Sequence, residues 1–396
     1  MAELLSIEDA IRTVLERTRT LPSERVPVEE AAGRVLAEPA RAATDLPPFA
    51  SSAMDGFALR AEDTPGTLPV AAAIPAGRPA ERPLQAGEAM AIATGGAVPE
   101  GADAVVPIED VVVADNKVDV PNAAEPGGHV RPRGGDVEAG EVVVAAGTRL
   151  TPGRIGALTA AGVVEVACGA RPRAAVLSTG TELRPPGAAL GPGQIYEANS
   201  FLLAAALASA GAEVERLPVA ADDESVHREA LTRALEADVV VTSGGVSVGP
   251  HDLVRSIEAE LGVDEVFWGV AVKPGKPVSF GVRGRTLVFG LPGNPVSALA
   301  GFELFVRPAV LQLQGASDPG PRFLPGRLAR VVRRNPARDQ LVRARSRVED
   351  DAVALDPVTG QESHMIVRAA GADALVHVPR GEGELEAGAA VRYLAL

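Results

Sequence analysis

One cysteine, Cys168, and five histidines are all that 396 residues carry of those two side chains. A lone cysteine excludes an internal disulfide and any cysteine-rich metal site, and it reads as a small buried core residue. The N-terminus, MAELLSIEDA, lacks the basic start and apolar run of a secretory signal. No segment has the charge-free apolar length of a membrane span. A cytoplasmic protein without a membrane partner is therefore expected. There is no GxxxxGK[ST] loop and no GxGxxG fingerprint, which disfavours ordinary nucleotide hydrolases and NAD enzymes. With so few histidines a Ser-His-Asp hydrolase is also disfavoured, and His251 reads as solvated or structural. No basic stripe with interleaved aromatics is present, so nucleic acid is not an expected partner.

What is present is apolar and acidic. Hydrophobic residues make up 46% of the chain, enough for substantial cores, and the length suggests two to four domains. The 42 glycines and 33 prolines are spread without period between apolar segments, which fits many turns better than disorder. Thirty-eight basic residues against 52 acidic ones leave a net charge of −14. A chain this acidic must gather positive charge locally to bind an anion, so isolated basic clusters carry weight.

Taken in order, Ser6 caps a helix whose apolar positions Ile7, Ala10, Ile11, Val14 and Leu15 share one face. From Phe49 to about Asn122, short strands punctuated by Pro and Gly predict an all-β block. It contains the loop SAMDG at 52–56, carrying Asp55, and a long turn at 94–103 beginning with Thr94. Two arginines and a carboxylate follow within six residues, Arg131, Arg133 and Asp136. Arginine suits bidentate phosphate contacts, and a nearby carboxylate suits a divalent ion or water. The 141–168 stretch reads as strand, turn and helix, with Pro152 at the first helical position.

From Arg173 onward strands alternate with helices of 10 to 15 residues, predicting a mostly parallel, doubly wound α/β sheet. The strand at 239–242 is a β-branched run, Val-Val-Val-Thr, that ends on Ser243, Gly244 and Gly245. Small residues there let the backbone approach a ligand at the carboxyl end of a strand, where open α/β sheets bind. Other loops at carboxyl ends carry Thr179 and Glu182, Asp222, and Asp252. Ser200 is placed as the cap of the helix after the first of these strands. Lys273 and Lys276 lie on a loop stiffened by Pro-Gly, and 291–295 (LPGNP) leads into a helix from Val296. Helix N-termini near Asp252 and at Val296 favour anions. After residue 316 the pattern turns strand-rich, suggesting a small C-terminal β domain. Carboxylates, lysines and a glycine loop together point to a phosphate-bearing small ligand, with a divalent metal bridging it to the protein.

Eight motifs in one order carry a resemblance over nearly the whole chain. They are PPF with SAMDG (47–56), TGGAVPEGADAVV (94–106), VRPRGGD (130–136), STGTEL (178–183), GQIYEAN (193–199), SGGVSVGPHD (243–252), KPGKP (273–277) and GLPGNPVS (290–297). This set resembles the molybdopterin molybdenumtransferase family, which includes the E domain of gephyrin and that of its plant counterpart. The resemblance implies an α/β-plus-β multidomain fold in four parts. These are an elongated discontinuous domain (1–45 and 134–172), an inserted β domain (46–133), the α/β pterin-binding domain (173–316) and a barrel-like C-terminal domain (317–396). It implies a cytoplasmic homodimer whose sites are shared between chains, converting molybdopterin adenylate and molybdate to molybdenum cofactor and AMP with Mg²⁺ or a similar ion. By matched position, Asp136, Asp222, Asp252, Glu182 and Asp55 are the implied catalytic carboxylates, with Asp222, Asp252 and Glu182 on the metal. Thr94 and Arg131, with Asp55, would come from the partner subunit's face. Thr179, Ser243, Gly244, Gly245 and Ser247 would bind the pterin. Lys273 and Lys276 would hold phosphates or molybdate beside Pro292, Asn294 and Ser297. The preceding adenylyltransferase and downstream molybdoenzymes are implied partners.

The chain departs from the family pattern at Ala50-Ser51, where many members have Asp-Asn, and at Gly269, where many carry a basic residue. Two other readings stand beside the leading one. The adenylyltransferase step uses a related α/β domain but lacks the extra β domains, and a non-catalytic binding scaffold would not need the intact carboxylates and lysines.

Overall fold

The structure is a computed structural model that describes residues 4–219, 223–245, 253–349 and 351–396. The first helix, Ile7–Arg17, is capped by Ser6, whose hydroxyl accepts the Asp9 N–H at 3.0 Å. Its buried face, Ile7, Ala10 and Val14, joins the core of the α/β sheet some 300 residues later in sequence, against Phe305, Val310 and Leu313.

Two stretches separated by about a hundred residues then fold as one body. Strand Ser23–Pro27 pairs antiparallel with Glu165–Gly169, and Ala40–Arg41 with Val142–Val144. Helix Pro152–Ala160 covers them, so that Val26, Leu36, Val144, Leu158 and Cys168 share one core. Burial pushes the Cys168 thiol above its ordinary pKa, in keeping with an inert core sulfur.

Between these stretches lies a six-stranded sheet in the spatial order 104–107, 56–59, 89–92, 66–74, 117–120, 112–114. Period-two alternation gives it two cores: Phe57, Leu59 and Val106 face one way, Ala58, Met90 and Val105 the other. The long turn at 94–103 does not close a hairpin, which accounts for its length. Strands Ala89–Ile92 and Ala104–Pro107 both run antiparallel to Gly56–Leu59, on opposite sides of it. They are therefore parallel to each other, and their connection must cross the middle strand, which needs the extra residues.

The α/β sheet has six strands, ordered 213–216, 173–178, 239–243, 286–291, 279–283, 264–268. The first four are mutually parallel and Ser279–Arg283 runs against them. Val239–Ser243 lies inside the sheet and every residue in it is buried. Val239 and Val241 face helices Asn199–Ser209 and 295–313, while Val240 faces helices Glu224–Ala234 and Leu253–Glu260. That two-sided burial is why the run is continuously apolar instead of alternating.

The 295–313 stretch is long and apolar enough to cross a bilayer, but 78% of it is buried as core of this fold. It includes a π-helical segment, Phe302–Val306, in which the Arg307 N–H reaches back to Phe302 O. Pro308 follows and has no N–H for the usual i−4 carbonyl, and widening the preceding turn accommodates the gap.

The C-terminal region is a closed five-stranded barrel. Asp339–Glu349 pairs with both Ala352–Pro357 and Ala374–Val378, and Leu324–Leu328 and Ala390–Ala395 complete the ring. Val272–Lys273 joins it from outside, parallel to 339–340. The α/β class with flanking β domains and a terminal barrel is as the sequence led us to expect.

Candidate active site

The chain runs from strand Arg173–Ser178 outward to Glu213–Arg216, then back past its start to Val239–Ser243. The reversal opens a crevice at the carboxyl ends, where Ser178 and Ser243 sit in register, and Leu291 is in register with Ser243 on the other side. Three loops leave from these points and pack backbone to backbone. The Thr179 N–H donates to Ser243 O at 3.1 Å, and the Gly244 N–H to Leu291 O at 3.1 Å. A Cβ on Gly244, whose φ is +90°, would lie 2.8 Å from Thr179 O, so only glycine fits.

A buried polar cluster underlies the loops. The Asn199 side-chain amide donates to Ser243 Oγ and to Gly293 O, each at 2.7 Å, and Ser243 Oγ donates to Pro292 O at 3.3 Å. Glu197 accepts from Ser178 Oγ (2.9 Å), Ser200 N (2.7 Å) and Ser200 Oγ (2.6 Å). Ser200 is thus not the cap expected from sequence. The helix begins at Asn199, and the Glu197 carboxylate takes up the orphan N–H of Ser200. Neither Glu197 nor Asn199 was singled out from sequence, although both lie in the 193–199 motif. Polar residues either side of a predicted helix start were the available signal.

Beside this crevice a cleft of about 820 Å³ opens between the α/β sheet and the barrel. Lys273, Lys276, Pro292, Asn294 and Ser297 line one wall, and Arg333 and Arg338 the other. Among the described residues none of these four cations has an ion-pair partner, so their charge faces the cleft. The barrel's 360–365 loop closes one side and is anchored twice. Asn294 donates to Ser363 Oγ at 2.9 Å, and the Val296 N–H to Ser363 O at 3.1 Å. The helix N-terminus expected to await an anion has therefore given its Val296 N–H to the barrel. From within, the buried Arg343 guanidinium donates to Gly360 O (2.6 Å), Glu362 O (3.3 Å) and Met365 O (3.3 Å). Burial pulls its pKa below the usual arginine value, against the opposing charge of Glu362.

The remaining residues lie elsewhere. Asp55 accepts the Thr94 N–H at 2.7 Å and the Thr94 hydroxyl at 3.0 Å, which holds its carboxyl below the usual carboxylate range. Asp55 lines a different cleft, of about 1060 Å³, on the inserted sheet. Arg131 pairs by its backbone with Ser51 and is exposed, as is Asp136. The Arg131–Asp136 constellation is not a closed unit, because Arg133 forms its ion pair with Asp45. Glu182 is exposed and folds back so that its carboxylate covers Gly180. Asp222, Ser247 and Asp252 lie outside the described residues. Among the described ones no group of three carboxylate, histidine or cysteine side chains gathers as a metal site.

Comparison with known proteins accounts for this arrangement. Residues 5–162 match the model for the MoeA N-terminal region (domain I and II), 175–312 a probable molybdopterin binding domain, and 325–396 the MoeA C-terminal region (domain IV). The chain is 42% identical over 329 residues to molybdopterin molybdenumtransferase 2 of Mycobacterium tuberculosis, covering 79% of this chain and 81% of that one. The chain belongs to the molybdopterin molybdenumtransferase family. It is likewise 30% identical over 392 residues to the Staphylococcus epidermidis molybdopterin molybdenumtransferase, covering 97% and 94% of the two chains. A molybdopterin biosynthesis MoeA structure from Pyrococcus horikoshii OT3 superposes with a TM-score of 0.84 at 30% identity, each chain fully covered. As a molybdopterin molybdenumtransferase family member the chain is an enzyme of molybdenum cofactor biosynthesis.

The departures within this family have local causes. Gly269 has φ +90°, and a Cβ there would lie 2.7 Å from Leu4 Cδ2. Its carbonyl accepts the Leu5 N–H at 3.3 Å, so the N-terminal segment occupies the space a basic side chain would need. Ser51 is buried against the 130–131 strand and bridges Ala97, which an Asn of larger volume would disturb.

Proposed function

We propose that this chain inserts molybdenum from molybdate into adenylated molybdopterin, releasing AMP and forming molybdenum cofactor, within the crevice and cleft described above. The observation that carries the reading is the meeting of the glycine-lined switch point with four cations that have no ion-pair partner among the described residues, in a chain of net charge −14. Both substrates are anions, and a phosphoanhydride must gather negative charge as it breaks. Lys273 and Lys276, fixed on a loop beside Pro292, Asn294 and Ser297, supply cations at that point before the reaction begins, so no reorganisation is needed. Thr179, Ser243, Gly244 and Gly245 form the floor on which the pterin lies, since glycine backbone allows a flat ring close approach.

Mg²⁺ or a similar ion belongs to the proposal through Asp222, Asp252 and Glu182. Of these only Glu182 is described, and one exposed carboxylate does not make a magnesium site, so no step is assigned to the ion. When bound, it would neutralise phosphate charge. A homodimer is part of the same reading: Asp55, Thr94, Arg131 and Asp136 line no part of the lysine cleft, and a second copy would bring them to it. The Asp55 carboxylate, preset by Thr94, would then face the substrate as a fixed negative group.

The test is AMP release from purified protein supplied with adenylated molybdopterin, molybdate and Mg²⁺. Wild-type protein should release AMP in step with cofactor formation, and Lys276→Ala should lose at least about a hundredfold in kcat/KM, the scale of one lost transition-state charge contact. AMP no faster than without protein would sink the reading.

A further inference from the structure

We infer that Asn199 is a positioning residue for the pterin floor: it fixes the spacing between the 243–245 loop and the 292–294 loop. This rests on the proposed function for its kinetic readout, and on geometry alone for its structural one. Asn199 is the first residue of the helix Asn199–Ser209 and its side chain is buried. Its Nδ2 uses both protons, one on Ser243 Oγ and one on Gly293 O, each at 2.7 Å. Gly293 O is a carbonyl and can only accept, so the amide nitrogen must face it and the side-chain orientation is fixed.

Among the described residues, the side-chain bonds of Asn199 and Ser243 are what set this spacing. The two loops approach through glycines: a Cβ built on Gly293 would meet Gly244 Cα at 3.7 Å. Glycine against glycine offers no side chain to set a distance, and beyond the strand pairing that ends at Ser243 and Leu291, the direct backbone bond among the described residues is from the Gly244 N–H to Leu291 O. The Asn199 amide adds two bonds that cross from the helix to both loops, and Ser243 extends the chain to Pro292 O. Behind Asn199, Glu197 ties the same helical turn to Ser178, at the end of strand Arg173–Ser178. The amide therefore holds two loops from one rigid helix end, and the carboxylate registers that end on strand Arg173–Ser178.

Asn199→Asp isolates the donor. Aspartate has the same shape, and a carboxylate in the first turn of a helix is favoured by its dipole, so the helix itself is not weakened. What changes is that both donated hydrogens vanish and an oxygen is set against the Gly293 carbonyl. The expected result is a KM for adenylated molybdopterin raised about tenfold or more, with kcat within about twofold of wild type, the pattern of lost uniform binding. In the ligand-free protein, hydrogen exchange at the Gly244 and Thr179 amides should accelerate about tenfold or more, while the 239–242 amides stay unchanged. Asn199→Gln, which keeps the donor on a longer arm, should recover part of both effects. Unchanged KM and unchanged exchange in Asn199→Asp would overturn the assignment, and so would equal exchange gains throughout the sheet. If wild-type protein releases no AMP but Gly244 and Thr179 still respond, the enzymatic reading falls and the positioning role stands.

Discussion

Gly244 and Gly293 look alike in sequence and differ in what replacement would cost. Gly244 has a left-handed φ and its Cβ would strike Thr179 O, so Gly244→Ala should destabilise the protein by about 1–3 kcal/mol. A Cβ on Gly293 meets only ordinary contact and its φ is not positive, so Gly293→Ala should stay within about 1 kcal/mol of wild type. Urea unfolding of the two variants separates them; equal midpoints would show that the loop packing is wrong. Asp55 offers a second residue-scale check. Its depressed pKa, set first by the Thr94 N–H and then by the hydroxyl, means that its stabilising contribution is complete above the unfolded value of ~3.9. That contribution is lost only as pH falls through the lower folded value. A carboxyl NMR titration should give a midpoint below ~3.9, rising partway in Thr94→Val, where the backbone N–H remains. An ordinary midpoint in wild type would refute the contact.

Elements show how far the sequence could be read. The run Val239-Val240-Val241-Thr242 is β-branched, uncharged and bounded by glycine, so one physical cause, burial on both faces, made it legible. Helix starts were less so: Asp223 caps Glu224–Ala234, and Glu197, not Ser200, serves the helix at Asn199, because side chains before the first turn compete for the same N–H groups. Strand partners could not be read at all. Pairing of Val272–Lys273 with 339–340 joins residues far apart in the chain, and nothing local encodes it. A motif search could even have misled, since 245–249 reads Gly-Val-Ser-Val-Gly, the spacing of a hydrolase elbow; only the companion motifs separate the two. The barrel's 360–365 loop is the element most open to test. Arg343→Ala removes three bonds to its carbonyls and leaves a cavity, which should cost about 2–4 kcal/mol and expose the loop to protease. Retained stability and an uncut loop would mean that Ser363 and the Gln361 side chain, which bonds the Arg343 backbone, suffice to hold the loop.

At the scale of the whole molecule, the proposed sharing of sites between two copies can be tested by complementation. Asp55→Ala and Lys276→Ala homodimers should each be nearly inactive. In a mixed dimer one site carries both defects and the other neither, so a statistical mixture should regain about one quarter of wild-type AMP release. A mixture as inactive as its parents would mean that Asp55 and Lys276 serve one site within a single chain. On that proposal, sequence gathers these residues into one function and not into one place, because motif order carries no information about which copy supplies a side chain.

Lys273 is, in its backbone, a strand of the neighbouring barrel as much as a residue of the α/β domain. A charge mounted in this way travels with the barrel. Any tilt of those five strands, from a packing change as remote as Leu355 or Val376, would move the cation relative to Ser243 without touching either residue. On the proposed function, the position of this charge over the pterin floor is thereby set partly from outside the pocket, by the packing of the barrel core.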